Sequence, residues 1–336
     1  MEKRRKRIRI GAGAVACALL AGSLFYLSFQ RGNSTNASPL PELLSELPPG
    51  APTLVYVDLA AVRSSSFYQH RPDKSPIAIP NPEYADFVRA TGFDFEKDLD
   101  RVVIASWPSP SAKEERKDMV IAEGRFDRTK IRDYAASKGK IDHQQGRDVF
   151  VFAAGDHTRA ESMTFLADHR LAFVAGSSIT PLFEAHSGTA AADPARERAA
   201  RVEGAAAFMI TPVPPIPENA GSPQTAQFIS LARSVQWITL AARPEGDDLR
   251  VSLEGECDNR SNAQQLKSML EVLRMFGRAG LENPKTTQSM NPASLAMAQS
   301  LLASAEVTQS AERVRILLEL TPDIFKLSEP AKPQAH

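Results

Sequence analysis

The sequence predicts an α+β protein. We expect an N-terminal transmembrane helix followed by two repeated β-α-β-β-α-β-β-α units, with mainly antiparallel sheets covered by helices. Three observations support this prediction: an uncharged stretch near the N-terminus, short alternating strands joined by tight polar turns, and a similar order of segments in the two halves. With 336 residues and 43% hydrophobic residues, the chain can form a packed core.

The uncharged stretch is Ile10–Phe29, twenty residues that are long enough to cross a bilayer as a helix. Residues 1–9 contain six basic residues and one acidic residue. Because basic flanks stay in the cytoplasm, the rest of the chain is expected on the far side of the membrane. The sequence therefore predicts a single-pass protein of the bacterial inner (cytoplasmic) membrane, with a periplasmic domain and the membrane bound through Ile10–Phe29 as a signal-anchor.

Two alternatives use the same stretch. A cleaved signal peptide would need a site such as Thr35–Ala37, but secretory apolar regions are usually only about 7–15 residues long. A lipoprotein would use Cys17, but most of the apolar run follows that cysteine. We favour the uncleaved anchor.

Charge and cysteine content exclude several classes of protein. The net charge is zero, but the first nine residues carry +5 and the remainder −5, so nucleic-acid binding is not expected. The two cysteines, Cys17 and Cys257, fall on opposite sides of the predicted membrane, which excludes a disulfide within the chain and a cysteine-based metal site. Cys257 is either a reactive thiol or a small buried side chain, and we favour the second because Arg260 is the only cation close to it in sequence.

Turn and cap residues divide the first half into elements. Leu54–Val57 is a predicted strand, and Asp58 is a helix N-cap candidate before Leu59–Arg63. Pro82 opens a helix that Gly92 ends, and Asp127 caps another that Gly139 closes. Further strands are predicted at 101–107, 119–125, 149–153, 162–167 and 171–175, and a short helix follows Ser177.

The second half follows the same order as the first. EGRFD at 123–127 and EGECD at 254–258 each precede a helix, and RVVIAS at 101–106 corresponds to SVQWITLAA at 234–242. The segment 164–184 matches 307–327 in its pattern of strand, turn, strand and helix start. Chance is an alternative because β-β-α units are common, but three matches in order favour duplication. The alternation around Val251 and Leu253 predicts sheets with one solvated face.

These elements define the predicted domains. They are a basic cytoplasmic tail at 1–9, the anchor at 10–29, a Pro-rich linker at 30–50 with a short amphipathic turn at 40–47, a first α+β repeat at 51–187, a connecting helix at 188–203, a second α+β repeat at 204–328 and a disordered tail at 329–336. The amphipathic turn either docks on the domain or on lipid headgroups, or has no contact.

Part of the sequence resembles a known group of proteins. The segments LPPGAPTLVYVDLAAV and TGFDFEKDLDRVVIA, followed by EGRFD, resemble uncharacterised membrane-anchored bacterial envelope proteins whose ectodomains open with an LPxxAxxxVxVDL-type strand. The resemblance covers residues 47–185. It implies an extracytoplasmic α+β domain in a bacterial envelope, and it assigns a role to no residue.

No catalytic, cofactor or metal site is predicted. Asp94, Glu96, Asp98 and Asp100 suggest a calcium loop, but Leu99 stands where an EF-hand needs glycine, so an acidic turn is favoured. The histidines show no metal-ligand spacing; they are His70, His143, His157, His169, His186 and His336. The chain contains no GxSxG, GxxxxGK[ST] or GxGxxG motif.

Two sets of side chains suggest contacts rather than chemistry. Gly11, Ala14, Ala18 and Gly22 either allow helices to pair in the membrane or simply fill the span. Two helices rich in methionine and leucine either line an adaptable groove or form core, and core is favoured. Their apolar residues are Leu266, Met269, Leu270, Leu273 and Met275 in the first, and Met290, Leu295, Met297, Leu301 and Leu302 in or near the second.

Three functions are compatible with this sequence. The leading hypothesis is a non-enzymatic envelope protein whose duplicated domain is an interaction or scaffold module, with a protein partner or homo-oligomer and no cofactor. The second is a carrier or sensor of an apolar ligand such as lipid, which predicts an enclosed apolar cavity. The third is a hydrolase with an unrecognised site near Asp156–His157 and Asp168–His169.

Overall fold

The computed structural model describes residues 40–70, 82–108, 117–152, 161–175, 178–183, 193–216, 226–288 and 290–328. The chain divides into two compact units. Unit 1 contains Pro39–Ala51 and Ser75–Asp193, and unit 2 contains Pro52–Lys74 and Pro194–His336.

The elements follow one another along both units. In chain order they are α1 (Leu40–Ser45), β1 (Thr53–Asp58), α2 (Leu59–Arg63), α3 (Ser66–Gln69), α4 (Pro82–Thr91), α5 (Phe95–Asp98), β2 (Leu99–Trp107), β3 (Lys117–Gly124), α6 (Arg128–Lys138), β4 (Gly139–Gln144), β5 (Arg147–Phe152), β6 (Glu161–Ala167), β7 (Arg170–Ala175), α7 (Pro194–Ala200), β8 (Ala207–Pro212), α8 (Ala226–Ser234), β9 (Val235–Glu245), β10 (Asp248–Cys257), α9 (Arg260–Glu282), α10 (Pro284–Thr287), α11 (Pro292–Ser304), β11 (Glu306–Ser310) and β12 (Arg313–Leu320). Short 3₁₀ helices cover Thr180–Leu182 and Pro322–Ser328.

Unit 1 is an antiparallel sheet with helix α6 packed on it. The strands pair in the order β2-β3-β7-β6-β5-β4. Asp127 caps α6 by accepting a hydrogen bond from the Lys130 amide at 3.1 Å. Ile131 and Ala135 of α6 then pack against a cluster of buried residues from the sheet, Phe150, Met163, Phe165 and Leu171.

Unit 2 is a second antiparallel sheet, and helix α9 packs on one of its faces. Its strands pair in the order β1-β8-β9-β10-β12-β11. Ala263 of α9 lies in a buried cluster with Cys257 of β10 and Val314 of β12. The side chains that alternate with this cluster along β10 therefore lie on the opposite face of the sheet.

The prediction of two repeated units is wrong. Strand β1, predicted as the first strand of a repeat at 51–187, pairs with β8 in unit 2, with Leu54 opposite Ile210. Tyr56 stacks on Phe208 at 5.5 Å, and such cross-strand aromatic pairs stabilise a sheet. Unit 1 also contains strand β4, whose solvent-exposed sequence GKIDHQ carries little of the alternation that identifies strands.

The predicted transmembrane architecture is also corrected. Among the residues that the structure describes, no helix is both long and apolar enough to cross a membrane. The described chain therefore gives no support to the N-terminal transmembrane helix of the predicted fold class, to the signal-anchor or to the single-pass inner-membrane location, and these predictions are not kept. The stretch Ile10–Phe29 and the tail at 329–336 lie outside the described residues.

The segment predicted as a linker contains helix α1, which is packed on unit 1. Leu43, Leu44 and Leu47 are buried. Arg170 at the start of β7 binds Glu42, Glu46 and Glu123, and so connects this segment to the sheet. Of the alternatives for the amphipathic turn at 40–47, the structure shows docking on the folded domain.

Two glycines are expected to respond to alanine in opposite ways. A Cβ atom at Gly124 would overlap the carbonyl oxygen of Asp98, and this backbone is held because the Arg125 amide donates to the same oxygen. Gly124→Ala should therefore destabilise unit 1 by about 1–3 kcal/mol. Gly280 lies in α9 with open space around it, so Gly280→Ala should stabilise the protein by about 0.5–1 kcal/mol. Urea unfolding of both variants measures the change in the free energy of unfolding. A change of the same sign and size in both variants would contradict the prediction.

Candidate functional site: an apolar face on helix α9

Helix α9 is the longest described helix and begins at a well-formed cap. Asn259 accepts a hydrogen bond from the Asn262 amide at 2.9 Å. On the inner side of the helix, Leu266 and Leu270 pack with Ala263 on the buried cluster of unit 2. Gly255 of β10 faces this side of the helix, since a Cβ atom there would lie in ordinary contact with Leu266 at 4.0 Å. The inner side of α9 therefore packs on unit 2 through buried Ala263 and partly buried Leu266 and Leu270.

The outer side of the same helix is apolar and exposed. Val272, Leu273, Met275 and Phe276 have exposed fractions of 46%, 48%, 60% and 65%. At 100° per residue these four positions cover roughly half of the helix circumference. We call them the apolar face of α9. Single exposed apolar residues are common, but a contiguous patch marks an interaction site.

Helix α11 fixes the position of this face. Arg278 of α9 donates to the carbonyl oxygens of Leu302 and Ala303 at 2.7–2.9 Å, and Arg274 donates to that of Ala305. These carbonyls end α11, where cationic side chains are stabilising. Gly277 lets Leu302 approach closely, because a Cβ atom there would lie 3.0 Å from it. These contacts fix α9, and with it the apolar face, against α11.

The charge of this helix pair differs from that of the rest of the chain. Residues 260–305 contain five basic and two acidic residues, a net charge of +3 in a chain whose net charge is zero. Helix α11 contains no charged residue. The region therefore combines exposed apolar side chains with a positive charge, as interfacial helices do.

The sequence predicted this helix but not the direction of its apolar residues. Leu266 and Leu270 form core, as favoured, whereas Leu273 and Met275 point outward. Val272 and Phe276 were not singled out. The sequence indicates this exposure through the width of the apolar arc over residues 269–276, which is greater than the arc that one face of a helix can bury.

The acidic stretch at 94–100 forms a capped turn. Asp94 caps α5 by accepting from the Glu96 amide at 3.0 Å, and Asp98 accepts from the Asp94 amide at 2.9 Å. Lys97 pairs with Asp94 at 2.7 Å, and Arg125 lies 3.6 Å from both Asp98 and Asp100. In the part of the chain that the structure describes, no group of histidine, cysteine, aspartate and glutamate could hold a metal ion.

The candidate residues for hydrolysis lie only partly within the described chain. Asp156 and His157 lie outside the described residues, and Asp168 pairs with Arg128. His70, His143 and His169 are exposed, while His186 and His336 are outside the described residues.

Cys257 is buried, and burial raises the pKa of its thiol. This environment opposes formation of the reactive thiolate and supports the interpretation of Cys257 as a core residue.

One cleft of about 200 Å³ lies in unit 1 beside α6. Its charged side chains are paired with one another: Arg125 with Asp98 at 3.6 Å, and Lys130 with Asp127 at 3.2 Å. The cleft is polar and open, and it differs from the enclosed apolar cavity that a lipid carrier would need.

Comparison with known proteins gives only distant matches. No protein-family model matches the chain, and no curated protein matches it. Three crystal forms of TP0453 are similar in structure: forms I, III and IV have TM-scores of 0.43, 0.43 and 0.41 and sequence identities of 11%, 10% and 12%. The matches cover 88%, 87% and 87% of this chain and 98%, 97% and 96% of those chains. Similarity at this level assigns no function.

Proposed function

We propose that this protein is a non-enzymatic lipid-binding protein that attaches to the surface of an anionic bilayer through the apolar face of α9. The exposure of Val272, Leu273, Met275 and Phe276 carries this proposal. Fully burying one such side chain is worth about 1.5–3 kcal/mol, so even partial insertion of four is a substantial driving force.

Charge complementarity favours a lipid surface as the occupant. The net charge of +3 over residues 260–305 suits anionic headgroups, each basic residue near such a surface contributing about 1 kcal/mol. The uncharged sequence of α11 beside the face also suits the boundary between headgroups and acyl chains.

The breadth of the apolar face argues against a narrow protein groove. Helices that dock into protein grooves present a stripe at i, i+3, i+4 and i+7. Val272, Met275 and Phe276 follow this spacing, but Leu273 lies beyond it and widens the exposed arc to about 160°. A protein partner or a second copy of the chain remains the competing hypothesis, and the experiment separates it.

The double variant Val272→Ser/Phe276→Ser is expected to weaken binding to vesicles of phosphatidylcholine and phosphatidylglycerol by about 10–100-fold, the equivalent of losing two partly inserted side chains. Vesicle co-sedimentation measures the effect. The control is Ile141→Ser, which removes an apolar side chain of 39% exposure from β4 in unit 1.

Three results would overturn the proposal. The first is undiminished vesicle binding by the double variant, the second is absence of wild-type binding, and the third is equal loss in the control. A wild-type dimer in size-exclusion chromatography that Val272→Ser/Phe276→Ser converts to a monomer would assign the face to a second copy.

A further inference from the structure

The sheet of unit 2 has a second face, which carries a group of arginines. The register places Glu256 between Trp237 and Arg313, and Glu254 between Thr239 and Arg315. These residues alternate along β10 with Gly255 and Cys257, which lie toward α9. The arginine group is therefore on the face opposite to α9.

Three guanidinium groups converge on the buried carboxylate of Glu254. Arg315 donates to Glu254 Oε2 through two nitrogens at 2.6 and 3.1 Å. Arg201 lies 3.6 Å and Arg313 3.9 Å from Glu254 Oε1. We call Arg201, Arg313 and Arg315 the arginine cluster. Arg313 and Arg315 of β12 and Arg201, the residue just after α7, therefore place positive charge around the same carboxylate.

A neighbouring ion pair supports the arginine cluster. Arg198 binds Glu256 and lies over the ring of Trp237, 4.1 Å from its centroid. Arg201 also donates to Glu256 Oε2 at 2.9 Å. Because Arg198 is buried and held on two sides, it acts as a support, whereas the side chains of Arg201, Arg313 and Arg315 are 31%, 32% and 42% exposed.

Positive charge exceeds negative charge in this group. Among the described residues, Arg198, Arg201, Arg313 and Arg315 face two carboxylates, those of Glu254 and Glu256. A purely structural network of two carboxylates, here the buried Glu254 and the half-buried Glu256, needs only two guanidinium groups for neutrality. The remaining charge of +2 means that the guanidinium groups repel one another, and an anionic ligand would reduce this repulsion.

Hydrogen-bond donors are also left over. Each guanidinium has five N–H donors. In the described part of the chain, the guanidinium group of Arg313 donates no hydrogen bond, and Arg315 uses Nε and one terminal nitrogen on a single oxygen. The unused donors lie on partly exposed side chains, where a ligand from solvent can reach them.

We propose that the arginine cluster binds a phosphate group on a ligand that approaches the face opposite to α9. A phosphate monoester carries a charge of about −1.5 to −2 and three acceptor oxygens, which match the excess charge and the convergent donors. Planar guanidinium groups bind such oxygens in pairs. The phosphate belongs either to a soluble monoester or to a lipid headgroup.

The test is calorimetric titration of the whole protein with glycerol phosphate and, separately, with monomeric dihexanoyl phosphatidic acid, at fixed ionic strength. We expect saturable binding that Arg313→Gln and Arg315→Gln each weaken at least tenfold. The control is Arg250→Gln. Arg250 is exposed and lies on the same face of β10, but it is outside the arginine cluster and pairs with Glu245 at 2.6 Å.

The two probes distinguish the sources of phosphate. Saturable binding of glycerol phosphate identifies a soluble ligand, and binding of phosphatidic acid alone identifies a headgroup. Absence of saturable binding to both probes, or equal loss in Arg250→Gln, would overturn the proposal. Circular dichroism melting must show that Arg313→Gln folds. Since the site is independent of the apolar face of α9, Val272→Ser/Phe276→Ser is expected to leave phosphate binding unchanged.

Discussion

Replacing Arg170 by methionine is expected to lower the free energy of unfolding of unit 1 by about 3–5 kcal/mol. The Arg170 side chain is 12% exposed and pairs with Glu42, Glu46 and Glu123, and the last of these is buried. Among the described residues, removing the cation leaves the carboxylate of Glu123 with only Arg101 as an ionic partner. It also removes the ionic contacts between α1 and β7.

The matched control is Arg128→Met. Arg128 pairs with Asp168, but the two side chains are 52% and 88% exposed, so we expect a change below about 1 kcal/mol. Urea unfolding followed by tryptophan fluorescence and by circular dichroism provides the comparison. If both variants unfold at the same urea concentration, the Arg170 network is not a major source of stability.

The Arg170 network also predicts a dependence on pH. Hydrogen bonding to Arg170 lowers the pKa of Glu42 below its ordinary value of 4.5. A carboxyl whose pKa is lower in the folded state stabilises the fold above its unfolded pKa and loses that contribution as the pH falls through the folded value. The wild-type protein should therefore lose stability more steeply below pH 4.5 than Arg170→Met does.

Replacing Phe67 by alanine is expected to destabilise unit 2 by about 3–5 kcal/mol. Phe67 in α3 is fully buried and packs against Phe325, with ring centroids 5.0 Å apart. Removing the ring leaves a cavity between an early segment of the chain and its C-terminal 3₁₀ helix, Pro322–Ser328. The conservative variant Phe67→Leu should lose less stability, because it retains most of the apolar volume.

Hydrogen–deuterium exchange locates this effect. In Phe67→Ala, amides of β1 and β8 in unit 2 should exchange faster, whereas those of β3 and β7 in unit 1 should not change. Uniform acceleration in both units would show that the protein unfolds as a single cooperative body and would contradict the assignment of Phe67 to unit 2 alone.

Local signals predicted the helix starts well. Asp58 and Asp127 cap the helices that the sequence assigned to them, and each accepts a backbone hydrogen bond within its own first turn. The helix opened by Pro82 also ends at Thr91, before Gly92. These features depend on residues within a few positions of one another, so short sequence patterns contain the information.

Long-range features could not be predicted in the same way. The pairing of β1 with β8 depends on which of several apolar strands becomes the neighbour of Tyr56, and the sequence pattern alone does not distinguish them. The candidate site was missed because an apolar helix residue has the same pattern whether it packs inward or is exposed. Only the packing of Leu266 and Leu270 leaves Val272 and Phe276 outside.

The pairing of β1 with β8 has a consequence for synthesis on the ribosome. Thr53–Asp58 emerges roughly 150 residues before its partner Ala207–Pro212. At about 5–20 residues per second, translation leaves this apolar strand without its partner β8 for on the order of 10–30 s. The segments of unit 1 are complete earlier, by Asp193. Nascent chains should therefore fold unit 1 first, and the edge of β1 that pairs with β8 should stay open to chaperones until β8 is synthesised.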